Sequence, residues 1–466
     1  MAPTIAAAAF AGLIVALMYL GRDRENPPSP AIWLAVTWVF LGASRMLSQW
    51  LHTGIVLGTP DQYLEGSPMD RLLLSAIEVA ALLVLAYRSR RISRFIRENK
   101  VILLFFAYCL ISMLWSDFPL VTLKRWTKAL GNISMVLLVL TDRNTVSAIK
   151  QFFTRTGVLL IAISVLVIKY YPEYGRGYNG WTWTTFYCGV STDKNGLGVI
   201  CLIFGLAVLW QFIEVYRNKR TRNRKQLMLV HGTVLSMTIW LLHMANSSTA
   251  LGCLALGGAL LLITTLSGTP RTVHLLATLI IVGGVVTYAF PETYESLVRM
   301  LGRKPDLTGR TDIWTDVLQI HFNHILGTGF ESFWLGARAD FFWHKYYFHP
   351  NEAHNGYIET YLNLGWIGVM LLGAQFVVGY QNIVSAFRRK MPAATLRFAL
   401  LAVATLYNMT EAAFKVMHPM WIAFLFAVIW VPDFQIRRKL RPAVSVQERT
   451  QAVAEMDMVK LDLMAT

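Results

Sequence analysis

The sequence predicts an all-α, polytopic membrane protein. Hydrophobic residues make up 55% of its 466 residues and the mean hydropathy is +0.46, which is too apolar for an ordinary soluble domain. Apolar runs of roughly 17 to 25 residues recur along the chain, and each is long enough to cross a bilayer as a helix. We therefore expect about 12 or 13 transmembrane helices, with one large loop between the late ones.

The predicted spans follow one another along most of the chain. They cover approximately 2–20, 31–47, 71–87, 101–115, 129–141, 157–171, 196–214, 227–244, 250–267, 273–290, 358–380, 397–411 and 414–431. The sequence divides accordingly into N-terminal transmembrane helices (1–290), an external loop that carries the chemistry (291–357), C-terminal transmembrane helices (358–435) and a flexible tail (436–466).

The basic residues give this arrangement an orientation. The formal net charge is +16, and lysines and arginines cluster in the segments 88–100, 217–225, 388–397 and 437–441. With the spans above, all four segments fall on one side of the membrane, which must be the cytoplasmic side. No basic face with stacking aromatic residues is visible, so the charge does not indicate nucleic-acid binding.

The loop between the late spans gathers titratable side chains on the opposite side. Half of the ten histidines of the chain lie between residues 306 and 365, namely His321, His324, His344, His349 and His354. A membrane protein that places its titratable residues in one external loop is expected to perform chemistry or polar recognition there. No glycine-rich phosphate loop occurs in the sequence, which disfavours ATP-driven transport.

Arg310 lies at the predicted start of a helix within this loop. Thr308 and Thr311 are good N-cap residues, and a guanidinium beside the unpaired N–H groups of a helix N-terminus is suited to bind an anion such as a diphosphate. The alternative is that Arg310 only pairs with Asp306 or Asp312. The helix would place one apolar face toward the protein, formed by Trp314, Val317, Leu318 and His321.

His354 lies where the loop re-enters the membrane, beside a predicted helix cap at Asn355 that we also count among the substrate-binding residues. An imidazole can accept a proton from a hydroxyl at neutral pH. The alternative is that His354 only bonds to backbone carbonyls at the helix entry. His321 and His324 are spaced i, i+3 as in some metal sites, but no motif supplies a third ligand, and we predict no metal.

The loop also contains a run of aromatic residues with two interpretations. They could form a surface that stacks on sugars or a belt at the membrane interface, and the belt is the more common use. We therefore favour the belt for most of them. The residues are Phe333, Trp334, Phe341, Phe342, Trp343, Tyr346, Tyr347 and Phe348.

Basic residues also lie on the outer side away from this loop. Lys124, Arg125 and Lys128 belong to an amphipathic segment just above the membrane, although outer loops are usually poor in such residues. An anionic ligand would account for them, and so would an interfacial helix that reaches lipid headgroups.

Three further polar residues lie at outer ends of spans. Lys194 and Asn195 are placed at the outer mouth of one span and are candidate substrate contacts. Glu411 is a candidate partner for a cation, although carboxylates at the interface are often only solvated.

The motifs TGRTDIW, GTGFESFW and AHNGYIETYLNLGWIG resemble the signature region of the superfamily of O-antigen ligases and Wzy-type polysaccharide polymerases. LWSDFPLVTLKRW, STDKNGLG and NSSTALG resemble its weaker motifs and occur in the right order. Exopolysaccharide polymerases of the ExoQ type are similar in the general character of their sequence, although no single residue decides this. A proline that many members carry near Ile325 and Leu326 is missing, which weakens inference about the shape of the loop.

The resemblance implies a metal-independent, inverting glycosyltransferase with a GT-C-like helical fold and no cofactor. Arg310 would contact the diphosphate of an undecaprenyl-diphosphate-linked glycan, His354 would activate the acceptor hydroxyl, and Arg125 and Lys194 would add phosphate contacts. The implied partners are this glycan donor, a glycan acceptor, membrane lipids and a chain-length regulator, with no nucleic acid.

The implied location is the bacterial inner membrane, with the loop facing the periplasm. The preferred activity is polymerisation of repeats into exopolysaccharide or O-antigen, and the alternative is ligation of the finished glycan to lipid A core. A transporter would require charged residues within its spans. The charged residues Arg45, Glu78 and Glu214 are expected near span ends, which disfavours transport.

Overall fold

The computed structural model describes residues 2–53, 67–178, 184–289, 310–346 and 348–430. The described chain is almost entirely α-helical, which confirms the predicted all-α class. The first part of the predicted loop (291–309, with Asp306 and Thr308), Tyr347 and the predicted flexible tail (436–466) lie outside the described residues.

The N-terminal part of the described chain contains helices of very different lengths. They are α1 (Pro3–Leu20), α2 (Ile32–Ala43), α3 (Leu47–Trp50), α4 (Pro68–Tyr87), α5 (Ser89–Glu98), α6 (Lys100–Ile111), α7 (Pro119–Leu140), α8 (Thr145–Tyr170) and α9 (Pro172–Gly175), with a 3-10 turn at Ser112–Leu114. Strands β1 (Arg176–Tyr178) and β2 (Thr185–Tyr187) then form an antiparallel pair in which Arg176 lies opposite Tyr187.

The C-terminal part contains the longest helix and the two helices of the external loop. The helices are α10 (Lys194–Arg217), α11 (Arg224–Ala245), α12 (Ser248–Ser267), α13 (Pro270–Ala289), α14 (Arg310–Gln319), α15 (Gly336–Lys345), α16 (Gly356–Arg388), α17 (Ala394–Tyr407) and α18 (Pro419–Val428).

Six helices within the described ranges are long and apolar enough to cross a membrane, judged by length and composition. They are α1, α8, α10, α11, α12 and α16, and five shorter apolar helices accompany them. Each span predicted from the sequence falls on a helix. A polytopic helical membrane protein is thereby confirmed, whereas 12 or 13 crossings and the boundaries of the four regions remain predictions.

Helices α8 and α10 form the centre of the bundle. In each of them 78% of the apolar stretch is buried, compared with 11% in α1. A helix that is apolar and buried all round must be surrounded by other helices, and α8 packs against α1, α2, α10 and α11. Large apolar side chains such as Leu72, Leu83, Leu279 and Ile281 remain exposed on α4 and α13. These outer faces are of the kind that lipid covers.

Helix α7 joins two features that the sequence analysis kept separate. The amphipathic segment with Lys124, Arg125 and Lys128 and the apolar span 129–141 form one continuous helix, Pro119–Leu140. Proline at the first helical position is compatible with a helix start, since it has no N–H to donate. The basic residues therefore stand on the first turns of a long buried helix and not on a separate interfacial one.

Helix α16 is broken at Gly365, which has φ +62°. A Cβ at this position would collide with the backbone of Ile325 and Gly327, so only glycine fits. At the break, backbone groups of the helix form hydrogen bonds with the GTGF loop and no longer with one another. Trp366 N donates to His324 O (2.9 Å), and Thr328 N donates to Leu362 O (3.1 Å). All these groups remain paired, and the GTGF motif is held against the motif that carries His354.

The turn before the GTGF motif is formed by a side chain. Asn323 Oδ1 accepts hydrogen bonds from Ile325 N and from Leu326 N, both at 3.0 Å. A proline at either position could not donate this bond. Asn323 thus fixes the two residues near which the sequence analysis noted a missing proline.

Glu78 departs from its predicted position. It lies in the middle of the 20-residue helix α4 and is half-buried there. The prediction that it lies near a span end is therefore wrong, because about 15 Å of helix extends on each side of it. The position of Glu78 therefore does not argue against a transporter.

Candidate active site

Asn355 fixes the entry of α16. Its Oδ1 accepts hydrogen bonds from Tyr357 N (3.0 Å) and Ile358 N (3.1 Å), and its Nδ2 donates to Met409 O (3.1 Å). Both ends of the side chain are used, so its role in this structure is the predicted cap. A direct substrate contact by Asn355 remains untested.

His354 precedes this cap and has φ +48°, a left-handed conformation that few residues with a side chain adopt. The backbone around it is held on both sides. Trp314 Nε1 donates to Ala353 O (2.7 Å), and Gly356 N donates to Asn408 O (2.9 Å). A strained residue held by its surroundings is typical of functional sites. The imidazole is thus placed by the fold.

The imidazole of His354 lies between two carboxylates. Its Nδ1 is 3.0 Å from Glu352 Oε1 and 3.6 Å from Glu411 Oε2. Burial alone would lower the pKa of His354, but the two carboxylates favour its charged form and raise the pKa to about 9. His354 is therefore an imidazolium at neutral pH.

Arg310 is the first residue of α14 and pairs with Glu411, Nη2 to Oε1 at 2.8 Å. It also donates to the backbone oxygen of Thr410. The side chains of Arg310 and Glu411 are 15% and 8% exposed. The alternative pairing of Arg310 with Asp312 is not observed, whereas Glu411 does bind a cation as the sequence suggested.

Lys415 completes the cluster and was missed by the sequence analysis. Its Nζ forms an ion pair with Glu352 Oε2. Burial alone would raise the pKa of Glu352, yet Lys415 and His354 hold it below its usual range. Burial alone would lower the pKa of Lys415, yet the Glu352 carboxylate holds it above the usual range of a lysine. The available signal was a lysine at the start of the predicted span 414–431, at the end where the positive-inside bias disfavours one.

These contacts form a chain of five alternating charges, which we name the charge chain. In order, its members are Arg310, Glu411, His354, Glu352 and Lys415. They come from three segments: the start of α14, the entry of α16 and the loop between α17 and α18. With His354 protonated, the charge chain has three positive and two negative charges, so it carries a net positive charge.

A buried carboxylate supports the charge chain from below. Glu359 accepts hydrogen bonds from Trp334 Nε1 (2.9 Å) and Ala353 N (3.0 Å), and also from Asn363 Nδ2 (3.0 Å). It is 8% exposed. It links the GTGFESFW motif to the residue before His354.

Arg125 lies near the charge chain and is connected to it through Glu331. Its Nη1 donates to Glu331 O, and Glu331 Oε1 accepts from Val416 N (3.0 Å), next to Lys415. Lys128, one turn further along α7, is half-buried, and no hydrogen bond or ion pair joins it to the described residues. The two cations share one face of the helix.

The remaining predicted substrate contacts are not joined to the charge chain. Lys124 and Lys194 are exposed, and neither forms an ion pair with a residue in the described ranges. Asn195 is half-buried at the start of α10, where its N–H is bonded by the cap residue Asp193 (2.8 Å). Their roles in substrate binding remain predictions.

The other histidines of the loop have different partners. His324 Nδ1 lies 2.8 Å from Tyr361 Oη, and His349 stacks on Trp343 with ring centroids 4.7 Å apart. His344 bonds to Asp340 O, and His321 is exposed beyond the end of α14. Within the described residues, His321 and His324 do not belong to a group of three or more side chains that could hold a metal ion.

Within the described residues, Glu352, His354 and Glu411 are the group whose ligand atoms could surround a metal ion, since these atoms lie within 4.8 Å of one another. Arg310 and Lys415 already bind the two carboxylates. A divalent cation would have to compete with both. The donor set does not favour a metal.

Most of the aromatic run forms a core and not a belt. Phe333 and Phe342 are fully buried and pack with Ile313 and Val317, and Trp334, Trp343 and Tyr346 pack against this cluster. The prediction of a belt is wrong for these residues, because the external loop folds into a body with its own apolar core. Phe341 and Phe348 remain 52% and 45% exposed.

The apolar face of α14 also differs from the prediction. Ile313 and Val317 are buried, whereas Leu318 is 48% exposed and His321 lies past the helix end. The buried face of α14 is thus centred on Ile313 and Val317 and is rotated by about one residue from the predicted face.

Comparison with known proteins agrees with the motifs. Residues 232–373 match the family model described as O-Antigen ligase, a range that includes Arg310 and His354. The chain is 23% identical to the exopolysaccharide production protein ExoQ of Rhizobium meliloti over 291 residues, which cover 59% of this chain and 63% of that protein. The match thus spans less than two thirds of ExoQ.

A protein of Rickettsia typhi, provisionally named a polysaccharide ligase, is 22% identical over 352 residues, or 72% of this chain and 82% of that protein. A protein of Rickettsia prowazekii with the same provisional name is 22% identical over 355 residues, or 73% and 83% of the two chains. The resemblance inferred from the motifs is confirmed.

Proposed function

We propose that this protein is a membrane glycosyltransferase that moves a glycan from a lipid diphosphate to a hydroxyl of an acceptor glycan. The preferred reaction is polymerisation of undecaprenyl-diphosphate-linked repeats at the periplasmic face of the inner membrane. The observation that carries the proposal is the charge chain, where three cations and two carboxylates meet at the end of a helical bundle.

The positive charges of this region suit a diphosphate. The charge chain has a net positive charge, Arg125 adds a cation through its contact with Glu331, and Lys128 lies one turn further along α7. Arg310 is held by Glu411, so an incoming diphosphate would compete with that carboxylate for the guanidinium. Charge-assisted bonds from a planar guanidinium to phosphate are strong and directional. Donor binding would therefore release Glu411.

The raised pKa of His354 changes the role expected for it. With a pKa of about 9, only about one molecule in a hundred carries a neutral His354 at pH 7. An imidazolium cannot accept a proton, but it can stabilise the negative charge on a leaving diphosphate. We assign His354 this role in place of the general base suggested by the sequence.

Glu411 is then the base. In the proposed step the acceptor hydroxyl oxygen forms a bond to the anomeric carbon as the bond from that carbon to the diphosphate oxygen breaks. The bonding electron pair leaves with the undecaprenyl diphosphate, and the hydroxyl proton passes to the Glu411 carboxylate. Attack opposite the leaving group inverts the anomeric centre. No metal or nucleotide takes part, since the donor is already activated.

Loss of polymer in variants of a deletion strain tests the site. We expect Glu411→Gln and Lys415→Gln each to lower polymer yield by about a hundredfold, the usual effect of removing one electrostatic or acid–base group. The variant Lys169→Gln is the control, because it removes an exposed cation from the end of α8 that lies away from Asp142 and is not a predicted substrate contact. Equal yield from Glu411→Gln and the control, at equal membrane levels of protein, would contradict the assignment.

The second candidate function is ligation of a finished glycan to lipid A core or another acceptor. The Rickettsia relatives named as ligases favour it. The glycans of the deletion strain distinguish the two reactions. Loss of long polymer with single repeats retained indicates a polymerase, and accumulation of long lipid-linked polymer indicates a ligase. A chelator should leave either reaction unchanged.

A further inference from the structure

A cavity of about 740 Å³ opens at the opposite end of the bundle from the candidate active site. It lies where α4 and α7 end and where the segment between α1 and α2 crosses them. Arg125, near the active site, and Thr141, in the cavity wall, are 16 residues apart along α7, or roughly 24 Å. The cavity is therefore a separate site.

The floor of the cavity is a rigid polar network around Asp142, which is 1% exposed. Its Oδ2 accepts from Arg88 Nη2 (3.3 Å) and from Ser29 N (3.1 Å), and Arg88 Nη2 also donates to Ser29 Oγ (2.7 Å). Arg91 Nη1 donates to the backbone oxygen of Asp142 (2.6 Å). Two guanidiniums are thus fixed in the wall by the fold itself.

The charges of the lining residues do not balance. Four arginines line the cavity, and Asp142 is the single acid among the lining residues. The pKa of Arg88 and that of Arg91 are lowered, mainly by burial and also by the nearby positive charge of Arg143. The excess of positive charge is self-repulsive, and an anion would relieve it.

The rim offers the cations that a ligand can reach. Arg90 and Arg143 are exposed, and neither bonds to a side chain or backbone group within the described chain. Beside them the rim has apolar surface, including Tyr87, which is 85% exposed. The adjacent helix α5 carries further arginines and an exposed Ile96, as expected of a helix at the boundary between water and lipid.

We propose that this cavity binds a phosphate group, with Arg90 and Arg143 on the phosphate oxygens and the network of Arg88 and Asp142 as the fixed floor. Two sources share this chemistry, the headgroup of an anionic phospholipid and a soluble phosphate compound. Arginines on the cytoplasmic side also orient transmembrane helices, but that role requires neither a cavity nor a fixed floor.

Binding to the purified full-length protein tests the proposal. The wild-type protein is placed in nanodiscs of phosphatidylcholine alone, in nanodiscs that also contain phosphatidylglycerol, and in phosphatidylcholine nanodiscs with added inorganic phosphate. Relative to phosphatidylcholine alone, we expect the thermal unfolding midpoint to rise in one of the other two samples. A rise with phosphatidylglycerol identifies a lipid headgroup as the ligand, and a rise with inorganic phosphate identifies a soluble phosphate compound. In the double variant R90Q/R143Q we expect the ligand affinity to fall by about tenfold or more.

The double variant K219Q/R220Q is the matched control. It removes the same charge from an exposed loop that lies at the same end of the bundle, since Arg222 of that loop pairs with Glu25 (3.1 Å) of the segment that lines the cavity. We expect its ligand affinity to match the wild type. A midpoint that does not respond to either ligand, or equal affinities in both variants, would overturn the proposal. Neither outcome depends on glycan transfer.

Discussion

The protonation of His354 is the most consequential property of a single residue in this protein. Its pKa is raised from 6.5 to about 9 by Glu352 and Glu411 against the opposing effect of burial. The contribution of this charge to stability is therefore complete below pH 6.5 and is lost as the pH rises through about 9. The same window should govern the stabilisation of the leaving diphosphate.

We accordingly predict that glycan transfer falls as the pH rises through about 9. In the variant Glu352→Gln the imidazolium loses its nearer carboxylate, so the fall should begin at lower pH. The rate of transfer from a purified lipid-linked donor, measured across pH in proteoliposomes, checks both expectations. A rate that instead rises between pH 6 and 9 would indicate that the neutral imidazole is the active form, as a general base would be.

Arg310 and Glu411 form a largely buried ion pair, so the loss of either residue leaves the other charge without its partner. Such a change costs about 3 to 5 kcal/mol of stability. A single Arg310→Ala variant without polymer would therefore not separate catalysis from folding.

The double variant Arg310→Gln with Glu411→Gln makes the separation. It leaves no unpaired charge, so we expect its thermal unfolding midpoint to recover most of what each single variant loses, while polymer yield stays near zero. Arg310→Lys should also transfer poorly, since a point charge cannot replace the guanidinium fork. Polymer formation by the double variant would show that the pair is only structural.

At the scale of elements, the break in α16 holds the site together. The break lets the GTGF motif exchange backbone hydrogen bonds with the helix that carries His354. We predict that Gly365→Ala lowers the unfolding midpoint strongly, because an alanine there meets the backbone of Ile325 and is strained at φ +62°. The loss should be about 3 kcal/mol or more.

Gly373 in the same helix is the matched control. A Cβ there meets nothing within 4 Å, so Gly373→Ala should leave the protein as stable as the wild type or slightly more stable. Thermal unfolding of the purified variants measures both effects. If the two alanine variants unfold alike, the break at Gly365 is not needed for the fold.

The break also shows where sequence patterns stop being informative. The apolar run through α16 is continuous, so it predicts the helix but not the interruption, which depends on a loop some 40 residues earlier in the chain. The ion pair of Glu352 with Lys415 joins residues 63 positions apart, and no local pattern encodes it. Helices were predictable because their periodicity is local, whereas the charge chain is a product of packing.

The aromatic run illustrates the same limit. Eight aromatic residues near a membrane have the composition of an interfacial belt, and only the fold of α14 and α15 shows that Phe333 and Phe342 are buried. Arg310 and His354 could be proposed as site residues because both lie in sequence motifs, and their roles remain predictions. The sequence did not indicate that Glu411 and Glu352 would keep His354 charged.

At the scale of the whole molecule, the two ends of the bundle differ in how their positive charges are held. At the end with the charge chain, the cations Arg310 and Lys415 are paired with the buried carboxylate of Glu411 and the half-buried carboxylate of Glu352. At the other end, exposed arginines such as Arg90, Arg143 and Arg220 dominate. The positive-inside rule predicts that the arginine-rich end faces the cytoplasm, and the proposed reaction would then take place in the periplasm.

This orientation can be measured with single cysteines. All four native cysteines are buried, so a membrane-impermeant maleimide should label the wild-type protein only weakly. In spheroplasts we expect Lys124→Cys and His344→Cys to be labelled at once, because both positions are exposed at the end with the charge chain. Arg220→Cys should be labelled only after the membrane is permeabilised. The reverse pattern would place the charge chain in the cytoplasm, where a donor that has already crossed the membrane could not reach it.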